Sequence, residues 1–89
     1  MGVIDDLKAG KVALDEAIGK LEDARCLVRR FMQQAEPQSK YGEAIMVDAE
    51  WMEKELDHCI EDAEDISKEY SSILDAVDVA EVIRRQAHG

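Results

Sequence analysis

Apolar residues recur at helical spacing in both halves of this 89-residue chain. In the first half they follow alternating steps of three and four, which places them on one face of an α-helix. Only Lys11 and Arg25 interrupt this row. The pattern predicts a first helix over about residues 3–35. Its apolar row consists of Ile4, Leu7, Leu14, Ile18, Leu21, Val28, Met32 and Ala35.

The second half carries a more regular row that has no charged member. Successive steps of four and three predict a second helix over about residues 43–86 with a coiled-coil seam. The pair Ser71–Ser72 is a place where this helix could break and a short third helix begin. The predicted seam consists of Ile45, Ala49, Met52, Leu56, Cys59, Ala63, Ile66, Tyr70, Ile73, Val77 and Ala80.

Residues 36–42 separate the two patterns and predict a turn. Pro37 disfavours a helical conformation at Glu36, and Gly42 is a typical cap residue. Two long helices joined by a short turn pack antiparallel, with their apolar rows against each other. We therefore predict a single all-α domain over residues 1–89, an antiparallel two-helix coiled-coil hairpin.

The two basic interruptions of the first row predict a register for this hairpin. If residues whose numbers add up to 77 face each other, Lys11 and Arg25 lie opposite apolar residues of the second helix. A long basic side chain can lay its stem on apolar surface and reach a flanking carboxylate. The carboxylates within reach would be Asp48 and Glu55 for Arg25, and Asp62 and Glu69 for Lys11.

A hairpin alone would leave apolar surface uncovered. The first helix has a second stripe of mostly small residues, and the end of the second helix extends past the start of the first. Small residues let another helix approach closely, and uncovered apolar surface favours association. We therefore predict a homodimer that forms a four-helix bundle, or docking onto the helices of another protein. The residues predicted to mediate oligomerisation are Gly10, Ala17, Ala24, Phe31, Val77 and Ile83.

The net charge of −10 is concentrated in the second half of the chain. Residues 1–35 hold six acids and six bases, whereas residues 42–82 hold fourteen acids and two lysines. Direct binding of nucleic acid needs a cationic face, so we expect none. No apolar run approaches the roughly 20 residues of a membrane span, and the N-terminus lacks the features of a classical signal peptide. We expect a cytoplasmic protein, or one in the host-cell cytoplasm if a phage encodes it.

Four acids at every seventh position form one stripe, here called the acidic row: Asp48, Glu55, Asp62 and Glu69. Between residues 48 and 69 the net charge is −8 over about 32 Å of helix. That is about one charge per 4 Å, close to the one per 3.4 Å of a single DNA strand. The composition resembles that of short acidic phage proteins that block DNA-binding defence systems, and this resemblance implies an inhibitor that mimics nucleic acid or covers a basic surface. A solvated coiled-coil face is the alternative.

The acids match no catalytic or metal-binding pattern that suits the predicted hairpin. Glu55 and His58 have the Glu-x-x-His spacing of di-iron bundles, whose ligands project into the core. Here the predicted core positions are Leu56 and Cys59 instead. Cys26 and Cys59 match no metal or redox spacing. We therefore expect no enzymatic activity, no metal and no cofactor.

Trp51 lies off the predicted seam near the turn. It could belong to a small apolar cluster with Tyr41, or it could contact a partner, as exposed tryptophans at interfaces often do. We include Trp51 with the acidic row among the predicted partner-binding residues. The sequence thus favours a non-enzymatic helical interaction module that acts as a dimer through an acidic or apolar helix surface.

The plan of about ninety residues in two long helices resembles the WXG family of type VII secretion substrates. Where that family has Trp-x-Gly at the turn, this chain has Tyr41-Gly42 without the tryptophan. The acid of the family's tail signal also falls one place late, at Asp75 after Tyr70. The resemblance implies a hairpin and, as a third function, a secreted helical partner protein. It implies no residue roles.

Overall fold

The computed structural model describes residues 2–35 and 42–88, with the side chains of Val3 and of residues 86–88 left out. These residues form two α-helices, α1 (Val3–Gln34) and α2 (Glu43–His88). Their contacts pair rising residue numbers in α1 with falling numbers in α2, since Asp15 meets Ser67 and Arg29 meets Glu53. The prediction of an all-α antiparallel hairpin is confirmed. The molecule is a rod of 73 × 19 × 14 Å.

The ends of the helices follow from local chemistry. The backbone N–H of Gly2 donates to Asp5 Oδ2 at 3.4 Å, and Asp5 and Asp6 stand in the first turn of α1. Carboxylates are favourable there because the helix N-terminus carries partial positive charge. Gly42, immediately before α2, has a φ of 81°, a conformation that L side chains rarely adopt. The other residues of the predicted turn, 36–41, lie outside the described residues.

The core follows the predicted apolar row of α1. Every residue of that row is buried or half-buried. The centre of the hairpin is a cluster of Ile18, Ile60 and Ala63, against which Leu14 and Leu21 pack. α2 continues through Ser71 and Ser72 without a break.

The predicted seam of α2 is wrong in one of its two stripes. Ala49, Leu56, Ala63, Tyr70 and Val77 do face α1, as predicted. The other stripe is exposed, and its neighbours one residue later along the chain are buried in its place. Ile60 is only 3% exposed, whereas Ile66 is 52% exposed. The stripe that packs on α1 instead contains Met46, Glu53, Ile60, Ser67 and Leu74.

Polar pairing across the interface explains this rotation of α2, by about 50° around its axis. The predicted seam would have set Arg25 against Met52 and offered it only the flanking Asp48 and Glu55, whereas a half-buried charge is most stable with a carboxylate within hydrogen-bonding distance. The observed face brings carboxylates to the basic residues of α1. Arg25 Nη1 donates to Asp57 Oδ1 at 2.7 Å, and Arg29 Nε lies 3.3 Å from Glu53 Oε2.

The predicted register is wrong for the same reason. The shortest polar contacts between the helices join residues 25 with 57, 29 with 53 and 15 with 67, so their numbers add up to 82 rather than 77. Arg25 therefore does not reach Asp48 or Glu55. Lys11 bonds within its own helix, where Nζ donates to Asp15 Oδ2 at 2.8 Å, and does not reach Asp62 or Glu69.

Candidate protein-binding surface

The stripe that α2 turns away from α1 is uncharged over its whole length. We call it the outer stripe, and it runs along the rod at every seventh residue. Its large members are 44–52% exposed. An exposed apolar strip of this length is unusual for a protein that works alone in water. The outer stripe consists of Ile45, Met52, Cys59, Ile66, Ile73 and Ala80.

Near the turn the outer stripe forms one side of an open apolar groove, here called the turn-end groove. Two adjoining depressions of about 340 and 310 Å³ share Val28 and Met52. The apolar side chains come from both helices, and only two of the lining residues are charged. The groove is lined by Ala24, Leu27, Val28 and Phe31 of α1 and by Ile45, Asp48, Ala49, Trp51, Met52, Glu55, Leu56 and Cys59 of α2.

Trp51 stands at the edge of this groove and is 62% exposed. Trp51 is therefore not a buried core residue, and whether it joins the predicted apolar cluster around the turn stays a prediction. Tyr41, the other aromatic residue of that cluster, lies outside the described residues. An indole that keeps most of its surface in water is a costly arrangement unless another molecule covers it. Trp51 lines the same depression as Met52 and Glu55, so its indole ring lies near both an apolar side chain and a carboxylate.

The acidic row lies directly beside the outer stripe. Asp48, Glu55, Asp62 and Glu69 are all exposed, and none of them forms an ion pair with another described residue. The carboxylates that α2 gives to the hairpin are different ones, Glu53 and Asp57, which bind the arginines of α1. The structure thus separates structural acids from acids left in water.

The opposite face at the turn end has a different character. The depression there is lined by Arg29, Met32, Gln33, Met46 and Glu53, so charged and amide groups stand beside two methionines. Val47, on the side of α2 away from the outer stripe, is also 56% exposed. Apolar side chains are therefore exposed on both faces of this end, and the turn-end groove differs in having few charged residues in its lining.

Two polar contacts perturb titrating groups. The pKa of Asp15 is lowered from its ordinary 3.8, first by the hydrogen bond from Lys11 and then by the hydrogen bond that Ser67 donates at 2.7 Å, against a smaller opposing effect of desolvation. The pKa of Arg25 is raised, chiefly by its hydrogen bond to Asp57. Both effects stabilise the charged forms that join the helices.

The six residues predicted to mediate oligomerisation differ in burial and in surroundings. Gly10 lies beneath the ring of Tyr70, whose hydroxyl oxygen is 2.7 Å from where a Cβ of residue 10 would stand. Ala24 and Phe31 line the turn-end groove, and Ala17 is exposed. At the far end, Val77 is half-buried and Ile83 is 60% exposed. Their role in oligomerisation stays a prediction.

The described residues contain no group of three or more histidines, cysteines and carboxylates that could hold a metal ion. Within the same residues, neither helix has a segment both long and apolar enough to cross a membrane. Cys26 and Cys59 are free thiols, and both are exposed. Cys59 lies in the outer stripe and lines the turn-end groove.

The groove residues Leu27, Val28 and Met52 were not predicted as functional from the sequence. One signal was nevertheless present. Met46, Ile60 and Leu74 form a third apolar stripe on α2, so the apolar arc of this helix is wider than one partner helix can cover.

No protein-family model, no curated protein and no solved structure matches this chain.

Proposed function

We propose that this protein is a non-enzymatic interaction module that binds the basic surface of another protein. The contact surface is the acidic row together with Trp51. One observation carries the proposal: these four carboxylates form no ion pair within the described residues, although the chain supplies arginines that bind other carboxylates. Trp51 adds a large exposed apolar surface at one end of the row.

The energetics suit recognition by charge and one aromatic contact. Complementary charges speed encounter and exclude wrong partners, whereas affinity comes mainly from a few well-buried anchors. The acidic row extends over about 32 Å of helix, which matches the length of a basic helix or groove on a partner. Trp51 would provide the anchor, and the carboxylates would fix its position along the partner.

A capture experiment in extracts of the organism that encodes the protein tests this proposal. The test variant carries Glu55→Lys and Asp62→Lys. The control variant carries Glu16→Lys and Asp23→Lys, which change two exposed acids of α1 and give the same net charge. The wild type and the control should retain the same basic protein at low salt, and the test variant should lose it. Equal capture by both variants would contradict the proposal.

Trp51→Ala should weaken capture of the same protein roughly 30-fold, the size of effect typical of an aromatic hot spot. Val12→Ala is the matched control, because Val12 is also exposed but lies on α1 away from the groove. The loss should persist at high salt, since the contact is apolar. An unchanged affinity for Trp51→Ala would remove this residue from the binding surface.

A second candidate function specifies the partner further: an inhibitor of a nucleic-acid-binding protein. The observation that favours it is the charge along α2: with Glu53 and Asp57 paired to arginines of α1, residues 48–69 keep a net charge of −6 over about 32 Å, or about one charge per 5 Å, against one per 3.4 Å for a single DNA strand. Single-stranded DNA should then compete with this protein for the captured partner, with a steep dependence on salt. Capture that is indifferent to added DNA would exclude this candidate and leave the first proposal intact.

A further inference from the structure

The two ends of the rod expose different apolar features. The turn end has the groove described above. The far end has an overhang, here defined as residues 79–85 of α2, which continues past the start of α1 because α2 has 46 residues and α1 has 32. Val79, Val82 and Ile83 of the overhang are 51–60% exposed. The outer stripe connects the two ends along one side of α2.

Charge distinguishes the two ends as well. The rim of the turn-end groove carries Asp48 and Glu55. The overhang carries Arg84 and Arg85, both exposed, and Arg85 has only a loose contact of 3.9 Å with Glu81 in its own helix. In the otherwise acidic second half of the chain, these arginines form a basic end. The overhang is therefore an amphipathic basic helix, and the groove is an apolar site with an acidic rim.

We propose that two copies of this chain pack antiparallel, so that the overhang of each occupies the turn-end groove of the other. The groove and the overhang lie at opposite ends of a 73 Å rod, so only an antiparallel arrangement covers both at once. Such a dimer has a twofold axis and buries the same surface on both subunits. A helix in a groove is a common form of recognition between proteins.

The outer stripe supplies the register of this dimer. When residues of the two α2 helices whose numbers add up to 132 face each other, outer-stripe residues meet outer-stripe residues throughout. Met52 faces Ala80 of the partner subunit, and Cys59 faces Ile73 of the partner subunit. Ile66 faces its own copy at the twofold axis. The four-helix arrangement thus covers apolar surface that the hairpin alone leaves in water.

The same register sets Ile83, which continues the acidic row toward the C-terminus, level with Asp48 of the partner subunit, whereas Arg84 continues the stripe of Val77 that faces α1. It also brings Asp62 near Glu69 of the partner subunit, so like charges collect around the axis and oppose dimerisation. Because the overhang covers the groove lined by Asp48, Trp51 and Glu55, a basic partner that uses the whole acidic row competes with the second copy. This last consequence rests on the proposed function, whereas the dimer itself does not.

Sedimentation equilibrium of the purified wild-type protein tests the association. The expected result is a mass twice the 10.0 kDa of one chain. Ile66→Glu places two charges at the axis and should give a monomer, whereas Val12→Glu, on the other edge of α1, should remain a dimer. A monomeric wild type at about 100 µM, or a dimer that survives Ile66→Glu, would overturn the inference. If the helix of another protein covers the groove instead, the purified wild type should be monomeric.

Disulfide trapping tests the register. In a chain with Cys26→Ser and Cys59→Ser, the change Ile66→Cys should give a covalent dimer on mild oxidation, because the two residues meet at the axis. Val12→Cys in the same background is the control and should remain monomeric on denaturing gels. Equal trapping at both positions would indicate random collision and overturn the proposed register.

Two matched substitutions test the docking of the overhang. Ile83→Glu should weaken the dimer roughly tenfold, because it takes an apolar side chain out of the contact and adds repulsion with Asp48 of the partner subunit. Val82→Glu, also exposed in the overhang but on the side of α2 away from the outer stripe, is the control and should leave the dimer unchanged. Equal dimerisation of both variants, together with capture of a basic protein by the monomeric Ile66→Glu variant, would sink the dimer and leave the proposed function standing. A dimer that only Ile83→Glu weakens, with no capture by the Ile66→Glu monomer, would do the reverse.

Discussion

Arg25 shows how one charged residue in an apolar row can set the orientation of a whole helix. The apolar pattern of α2 allows two faces to pack on α1, and the uncharged one would have offered this guanidinium only the flanking Asp48 and Glu55. The face that packs gives it Asp57 at 2.7 Å, with Arg29 also within 3.7 Å of the same carboxylate. At the residue scale, the pairing of charges favours the less apolar of the two faces.

The Asp15–Ser67 hydrogen bond makes a prediction about pH. Replacing Ser67 by alanine removes one of the two bonds that lower the pKa of Asp15, so this pKa should rise but remain below 3.8 because the bond from Lys11 persists. A carboxyl NMR titration measures the change. Ser72→Ala, an exposed serine in the same helix, should leave the pKa of Asp15 where it is.

The sign of the accompanying stability change follows from linkage. Because the folded-state pKa of Asp15 is lowered, its bonds stabilise the hairpin above the ordinary pKa of 3.8 and lose this effect as the pH falls through the lower folded value. The stability difference between the wild type and Ser67→Ala should therefore shrink on acidification. A difference that grows in acid would contradict the assignment of this hydrogen bond.

At the scale of the helices, the sequence allowed the lengths, the antiparallel plan and the apolar face of α1 to be predicted. The rotation of α2 was not predictable from periodicity, because the stripe of Ile66 is uncharged throughout, whereas the stripe of Ile60, which flanks the same central stripe, is interrupted by Glu53 and Ser67. The choice depends on contacts between residues far apart in the chain, such as Arg29 with Glu53. The candidate site followed the same division: the acidic row was predicted, and the groove beside it was not.

Matched valine substitutions test the rotation. Ile60→Val and Ile66→Val make the same chemical change in the same helix, so their intrinsic helix effects cancel. Ile60→Val should lower the free energy of unfolding by about 1 kcal/mol, because it removes a buried methylene, and Ile66→Val should cost far less. Chemical denaturation at a concentration too low for dimerisation measures both. Equal losses would contradict the observed face of α2.

Two glycines of α1 provide a second test of packing between the helices. Gly19→Ala should stabilise the protein by roughly 1 kcal/mol, because alanine is the better helix former and nothing lies within 4 Å of the new methyl group. Gly10→Ala gains the same propensity but pushes against the ring of Tyr70, so its benefit should be smaller or reversed. In a Tyr70→Ala background the two substitutions should become equivalent. A persistent difference there would show that Tyr70 is not the cause.

At the scale of the whole molecule, the two faces of the rod differ. On one face, charged residues of α1 and α2 pair across the hairpin. On the other face, the uncharged outer stripe lies beside the acidic row, whose carboxylates form no ion pair with another described residue. Eighty-nine residues in two helices enclose little core, and no side chain among those described is fully buried. Association is the ordinary way for so small a protein to gain apolar burial.

The proposed dimer predicts opposite effects of one substitution on two kinds of binding. Glu69→Lys replaces the repulsion with Asp62 of the partner subunit by attraction, so it should tighten self-association several-fold. It also removes one charge of the acidic row and should weaken capture of a basic protein. Glu61→Lys, on the side of α2 away from the outer stripe, is the control for net charge. Weaker self-association of Glu69→Lys than of Glu61→Lys would contradict the register.

The orientation of α2 is the claim on which the groove, the stripe and the free acids all depend, and methyl NOE spectroscopy tests it most directly. In dilute, methyl-labelled protein, Ile18 should show cross-peaks to Ile60 and Ala63, and Ile66 should show none to any methyl group of α1. Cross-peaks between Ile66 and Leu14 of the same chain, with Ile60 free of α1, would mean that the outer stripe is the buried seam and that the binding surface described above does not exist.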